Sequence, residues 1–249
     1  MLDNIFQQKK YDENAKTMTS EFFVNVYTYM FIALGISGSI AFYIGAGEQI
    51  QFGDTSVPKL FAELFFTETG ISPLFYVVAF APVGLGLLIQ LAYNRLSMSL
   101  LLILFALYSG LMGLSLSSIF VVYSLGSIAS TFLVTAVSFG AMAILGYTTK
   151  TDLTKFGSLL YMVFIGMFVA GLINFFMGSE MVSYVISILG VFVFTGLTAY
   201  QMQQLKHIGE DPNLGQLDKR KLSLIGGLML YILFINLFLS LLRLMGNRD

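Results

Sequence analysis

From Leu96 to Thr149 the chain runs for 54 residues without one Asp, Glu, Lys or Arg. Soluble domains carry about 25% charged residues across their exterior, so this segment cannot supply a water-facing surface. An uninterrupted apolar run of this length reads as membrane-spanning. The whole chain agrees: 57% of its 249 residues are hydrophobic and 11% charged, with a mean hydropathy of +0.82. As a single helix the run would be roughly 75 Å long at about 1.5 Å per residue, far more than a hydrocarbon core of about 30 Å. It therefore divides, and the turn is placed at 123–127, Tyr-Ser-Leu-Gly-Ser.

Seven uncharged stretches are long enough to cross a bilayer, at about 22–44, 73–93, 98–123, 125–147, 156–176, 182–201 and 222–242. The expected fold is an all-α integral membrane protein, with a cytoplasmic tail over 1–21, one seven-helix transmembrane domain over 22–245 and an outer tail over 246–249. Basic residues set orientation because they are retained on the cytoplasmic side. With the N-terminus inside and the C-terminus outside, Lys9, Lys10, Lys16, Arg95, Lys150, Lys155, Lys206, Lys219, Arg220 and Lys221 are inner, and only Lys59, Arg243 and Arg248 are outer. There is no tryptophan, but Tyr43, Tyr76, Tyr93, Tyr123, Tyr147, Tyr161, Tyr184 and Tyr200 fall near span ends, where an apolar ring with a polar tip is most stable. Residues 1–21 are polar and lack a small-residue cleavage site, so the first span is expected to be an uncleaved anchor. The protein is expected to be integral to a membrane.

Two longer segments lie outside the spans. Between the first and second, Val57, Leu60, Phe61, Leu64 and Phe65 have helical spacing after Pro58, which fits a short helix in the outer interface or a loop packed on the bundle. Between the sixth and seventh, residues 203–221 form the main inner surface besides the tail.

Several chemistries are excluded. A net charge of −1 gives no basic field for nucleic acid. Without cysteine there are no disulfides, thiolate metal sites or cysteine nucleophiles, and the one histidine, His207, rules out a multi-His metal site. Every one of the 14 acids falls in a tail, a loop or a span end, so no carboxylate relay and no aspartyl-protease pair lies at depth. A membrane serine protease needs a base beside its serine, yet His207 is in the inner loop. The chain is therefore expected not to be an enzyme and to hold no cofactor.

What remains inside is neutral polarity: Gln90, Asn174, Gln201, Gln203, Asn236 and the serine-rich run 110–118. Ser109, Gly113 and Ser117 share one helical face, as do Gly166 and Ala170; such stripes serve close helix packing or line a polar pore. Asn174 and Asn236 are expected to donate hydrogen bonds between helices, and Arg95 to sit at a span end. Arg95, Asn174, Asn236 and Ser117 are the candidate pore or polar-contact residues.

The motifs 126–132 (Gly-Ser-Ile-Ala-Ser-Thr-Phe), 139–142 (Phe-Gly-Ala-Met), 146–153 (Gly-Tyr-Thr-Thr-Lys-Thr-Asp-Leu) and 234–243 (Phe-Ile-Asn-Leu-Phe-Leu-Ser-Leu-Leu-Arg) resemble the Bax inhibitor 1 family. The resemblance implies a seven-helix fold around a central seventh helix and a calcium-leak or ion-homeostasis role tied to stress survival. It also brings, from bacterial relatives, regulation of a membrane-anchored protease. The partners it implies are the lipid bilayer, calcium or another cation, and such a protease. Leak-type members carry two aspartates near the inner ends of spans six and seven, a coupled pair that can act as a pH latch. Here the family's Ala-Tyr-Asp reads Ala199-Tyr200-Gln201, and its Tyr-Leu-Asp reads Tyr231-Ile232-Leu233. Both sensor acids are gone, and Arg95 corresponds to the basic partner expected after span two.

Overall fold

The computed structural model describes residues 2–52, 55–67 and 70–247, with side chains from residue 17 onward except those of residues 52 and 55. Met1 and Arg248, and the side chains of Lys9, Lys10 and Lys16, thus lie outside the described residues. The elements in order are α1 (Leu2–Gly45), β1 (Gln49–Phe52), β2 (Thr55–Pro58), α2 (Lys59–Phe65), β3 (Phe66–Thr67), β4 (Gly70–Ile71), α3 (Pro73–Ala92), α4 (Met98–Leu116), α5 (Ile119–Val122), α6 (Leu125–Thr148), α7 (Thr154–Met177), α8 (Glu180–Glu210) and α9 (Gln216–Met245). Among the described residues seven helical segments are long and apolar enough to cross a membrane: α1 from Thr17, α3, α4 with α5, α6, α7, α8 and α9. The protein is an all-α membrane protein. Its first helix already begins at Leu2, so the polar tail is helical and continuous with the first span.

Local chemistry sets the helix ends. Ser72, Ser97 and Ser179 each turn a hydroxyl onto a first-turn amide, at Leu74, Leu100 and Val182 respectively, satisfying donors that have no intrahelical partner. Helix α7 ends on Gly178 at φ 67°, a left-handed cap that glycine adopts without steric cost. Within the third span, Ser117 and Ser118 bond back to the carbonyls of Leu114 and Ser115 at 2.6 and 2.8 Å. These short local bonds compete with the α-helical ladder and break the span before α5. The chain then turns at Tyr123 and Ser124, within the segment expected from sequence.

The chain forms two compact units. One comprises Phe31–Thr131 with Met245–Asp249. In it Gly113 of α4 lies against the backbone of Ser37 and the side chain of Ile40 in α1, a closeness that a Cβ would prevent. The segment before α3 contains two small antiparallel hairpins, β1 with β2 and β3 with β4, which the apolar spacing alone did not reveal. Between them α2 buries Phe61 and Phe65 against Ile44 and Val78, so the outer helix is packed onto the spans. Asn247 is pinned to the turn before α6, its N–H donating to Ser127 Oγ at 3.0 Å.

The other unit comprises Met1–Met30 with Phe132–Leu244. Its core is α9, whose most apolar stretch is 67% buried, against 39% or less in the other six spans. Leu224, Leu228, Leu230, Tyr231 and Leu237 are fully enclosed. Small residues let the neighbours approach: Gly227 lies against Val26 and Tyr29 of α1, Gly226 against Leu205 of α8, and Gly190 of α8 against Ser240. Phe132 and Phe139 of α6 stack edge-on against Phe234. Gly146 of α6 meets the Ala199 backbone of α8. The Gly166 face of α7, by contrast, opens outward with nothing within 4 Å. Small-residue spacing identifies a smooth face, and which smooth face is covered depends on the neighbours.

The loop joining α6 to α7 is clamped by α8. Gln203, 5% exposed, accepts from the Leu153 N–H and donates to the Thr151 carbonyl, both at 2.8 Å. Lys206 donates to the Tyr147 carbonyl at 3.1 Å and sits over that residue's ring. Lys219 is buried and donates to the Gly209 carbonyl at 3.0 Å. In the same loop Asp152 accepts from the side chain and backbone N–H of Thr154, which, with a smaller effect from nearby His207 and Lys155, holds its carboxyl below the ordinary range. A depressed carboxylate stabilises the folded loop above its unfolded pKa and loses that effect only as pH falls through the folded value, so Asp152 stays ionised at neutral and mildly acid pH.

Two outcomes are expected. Gly146→Ala destabilises the protein by about 1–3 kcal/mol, since the new methyl presses on backbone, while Gly166→Ala is neutral or slightly stabilising; thermal unfolding in detergent separates them, and equal effects would contradict this packing. Gln203→Leu leaves two part-buried backbone groups unpartnered at roughly 1 kcal/mol each. Trypsin should then cut at Lys150 and Lys155 severalfold faster, with Gln203→Glu, which keeps the acceptor, in between.

Candidate functional site

Two contacts fix the antiparallel register of α8 and α9: Gly190 against Ser240 and Gly226 against Leu205. On that register Leu233 lies level with about residue 197, and Gln201 level with about residue 229. The two positions at which the resemblance expects aspartates are therefore on neighbouring helices and offset by roughly one helical turn. Leu233 is 5% exposed. Gln201 is half-buried and makes no side-chain hydrogen bond among the described residues. No acid–base pair forms there, because neither side chain titrates.

One stripe of α9 changes character along its length. Leu233, Asn236, Ser240 and Arg243 recur at three- and four-residue intervals and so share a face. The last three line a cavity of about 150 Å³, together with Ser187 of α8 and the rings of Phe164 and Phe194. Its hydroxyl donors and one Asn236 N–H are already engaged. Ser187 Oγ donates to the Ser183 carbonyl, Ser240 Oγ to the Asn236 carbonyl and Asn236 Nδ2 to the Ile232 carbonyl, each at 2.8 Å. What the hydroxyls and the Asn236 carboxamide oxygen have left to offer are lone pairs, which suit water or a cation. The volume would hold about five waters at ~30 Å³ each. Arg243 at the C-terminal end of the stripe is exposed and adds a positive charge to the cavity wall. Toward the middle of α9 the stripe passes from Asn236 to buried Leu233 within one turn, and Leu230 and Gly226 continue it without polarity.

The other candidates have local partners. Asn174 spans the α7–α8 turn: Nδ2 donates to Ser183 Oγ at 2.7 Å and to the Ser179 carbonyl at 3.1 Å, and Oδ1 accepts from the Ser179 N–H at 3.0 Å. This is the expected interhelical bond. Asn236 instead bonds within its own helix, because the Ile232 carbonyl one turn back lies within its reach. Ser117 is fully buried and bonds to its own helix. Arg95 is exposed in the turn after α3. Ser187 and Ser240 were missed as cavity residues. Their spacing to Gly190 and Asn236 is visible in sequence, but the register that brings them together is not.

Known proteins match this chain along nearly its full length. The family model described as "Inhibitor of apoptosis-promoting Bax1" matches residues 19–249. The Inner membrane protein YbhL of Escherichia coli is 42% identical over 229 residues, covering 91% of this chain and 92% of that protein. An uncharacterized protein of Rickettsia prowazekii is 36% identical over 245 residues, covering 97% and 94%, and one of Borreliella burgdorferi is 39% identical over 233 residues, covering 92% and 93%. These likenesses agree with seven apolar helices in an integral protein of the bacterial inner membrane. Seven spans, four linked motifs and a family match that begins at the first span and runs to the last residue place this chain in the Bax inhibitor 1 family.

Proposed function

We propose that the chain is a non-enzymatic, ion-leak-type protein of the inner membrane, acting in calcium or other cation homeostasis under stress and kept shut by apolar packing instead of a carboxylate latch. The carrying observation is the stripe of α9 on which a cavity with polar side chains in its wall gives way to buried Leu233 within one turn. A polar cavity followed by a buried leucine has the form of a path interrupted at one point. The two aspartates that would make closure depend on protonation are replaced by Gln201 and Leu233, so this closure does not titrate.

A second reading is a non-transporting modulator of a membrane-anchored protease or stress complex. It is favoured by Arg243, whose charge in the cavity wall opposes cation entry.

Reconstitution in liposomes separates the two. On the leak reading, the unmodified protein shows low calcium flux that differs little between about pH 6 and about pH 8, since neither Gln201 nor Leu233 titrates. Leu233→Asn should raise flux severalfold, and Gln201→Asp with Leu233→Asp should make it strongly pH-dependent, as coupled carboxylates do. His207→Gln controls for the one imidazole. A steep pH dependence in the unmodified protein would overturn the proposed closure. Folded variants that all fail to conduct would favour the modulator.

A further inference from the structure

Another cavity lies toward the opposite end of α8 from the one at Asn236. A furrow of about 810 Å³ lies between the N-terminal part of the α1 span and the C-terminal end of α6, with Glu210 at the end of α8 closing one side. Thr19 ties that corner together by donating to the Gly209 carbonyl at 3.1 Å. Its lining is graded. Glu210 ends α8, and Thr19 and Ser20 lie where the apolar span of α1 begins; the Tyr147 ring comes next, and Val24, Ala143 and Ile144 lie deeper along the helices. The deep wall faces outward, with Val24 61% and Ile144 67% exposed. A polar end leading to an apolar, outward-facing trough has the profile of one phospholipid lying beside a protein.

The charges narrow the headgroup. Glu210 is exposed and has no ion-pair partner among the described residues. One turn back on α8, Lys206 sits over the Tyr147 ring, 5.1 Å from its centroid, and spends one proton on the Tyr147 carbonyl. The other two protons are available to an acceptor. A carboxylate and an ammonium one turn apart complement a zwitterion: the lipid's ammonium meets Glu210, its phosphate meets Lys206, and an acyl chain follows Phe23, Val24 and Ile144. A lipid with net negative charge would set its charge against Glu210. A quaternary ammonium would offer the carboxylate no hydrogen bond. We propose that this furrow is a selective site for an aminophospholipid of the phosphatidylethanolamine type. The assignment is independent of whether the protein conducts ions.

The test is native mass spectrometry of the delipidated full chain, offered equimolar dioleoyl phosphatidylethanolamine, phosphatidylcholine and phosphatidylglycerol. The unmodified protein should retain phosphatidylethanolamine severalfold over either competitor. Glu210→Gln, an exposed change that leaves the fold intact, should bring the ethanolamine-to-choline ratio to about one, as expected when a charge-assisted bond is lost. Ile144→Trp, at an outward-facing position, should obstruct the furrow and reduce retention of all three. Equal retention of the three lipids, preference for phosphatidylglycerol, or an ethanolamine preference that survives Glu210→Gln would each overturn the proposal.

Discussion

Inside a bilayer the lipid tails are as apolar as leucine, so helices gain little by burying apolar side chains against one another. Their association has to come from close van der Waals contact and from polar groups that find partners within the protein. The unit built around α9 follows that constraint. Its leucines fill space, while the approach of backbones is set by Gly146, Gly190, Gly226 and Gly227, each placed where a Cβ would collide with the facing helix. Polar side chains are held close to home: Asn174 spans a single turn, and Ser187, Thr198 and Ser240 bond back into their own helices.

The same constraint explains what could be read from the sequence. Span positions were legible because charge is excluded from apolar stretches about 20 residues long, and the described helices match them with shifts of only a few residues except at α1, α8 and α9. Those three extend into water, where α1, α8 and α9 carry Lys16, Lys206 and Lys219 beyond the apolar stretch; hydropathy cannot mark a helix end that lies outside the membrane. The two hairpins before α3 were illegible for a related reason, since strands of four residues (β1, β2) or two (β3, β4) pair through backbone bonds that leave little hydropathy signal. Gln203 was visible as a neutral polar residue, yet its partners, Thr151 and Leu153, lie some 50 residues away. Long-range pairs of this kind depend on register, which composition does not encode.

The candidate site divides along the same line. That Gln201 and Leu233 stand where the resemblance expects aspartates was readable from the motifs. That the second position is buried, and that a polar cavity begins one turn beyond it at Asn236, needed the packing of α7, α8 and α9.

On the proposed leak reading, these two facts together bear on how closure would be achieved. An Asp at the centre of a membrane helix costs about 2.5–3.5 kcal/mol before pairing or hydration, whereas a leucine gains a few tenths. The difference of roughly 3 kcal/mol corresponds to more than a hundredfold in an equilibrium, at about 1.4 kcal/mol per decade. A carboxylate at Leu233 would favour any arrangement that brought water to it, and the polar cavity at Asn236 is only about 4.5 Å further along the helix axis. Leucine at that position favours the arrangement in which water stops short. On the proposed leak reading, leucine there both leaves closure without a proton switch and strengthens the seal, so that opening would come from movement of the packed helices at their glycine contacts.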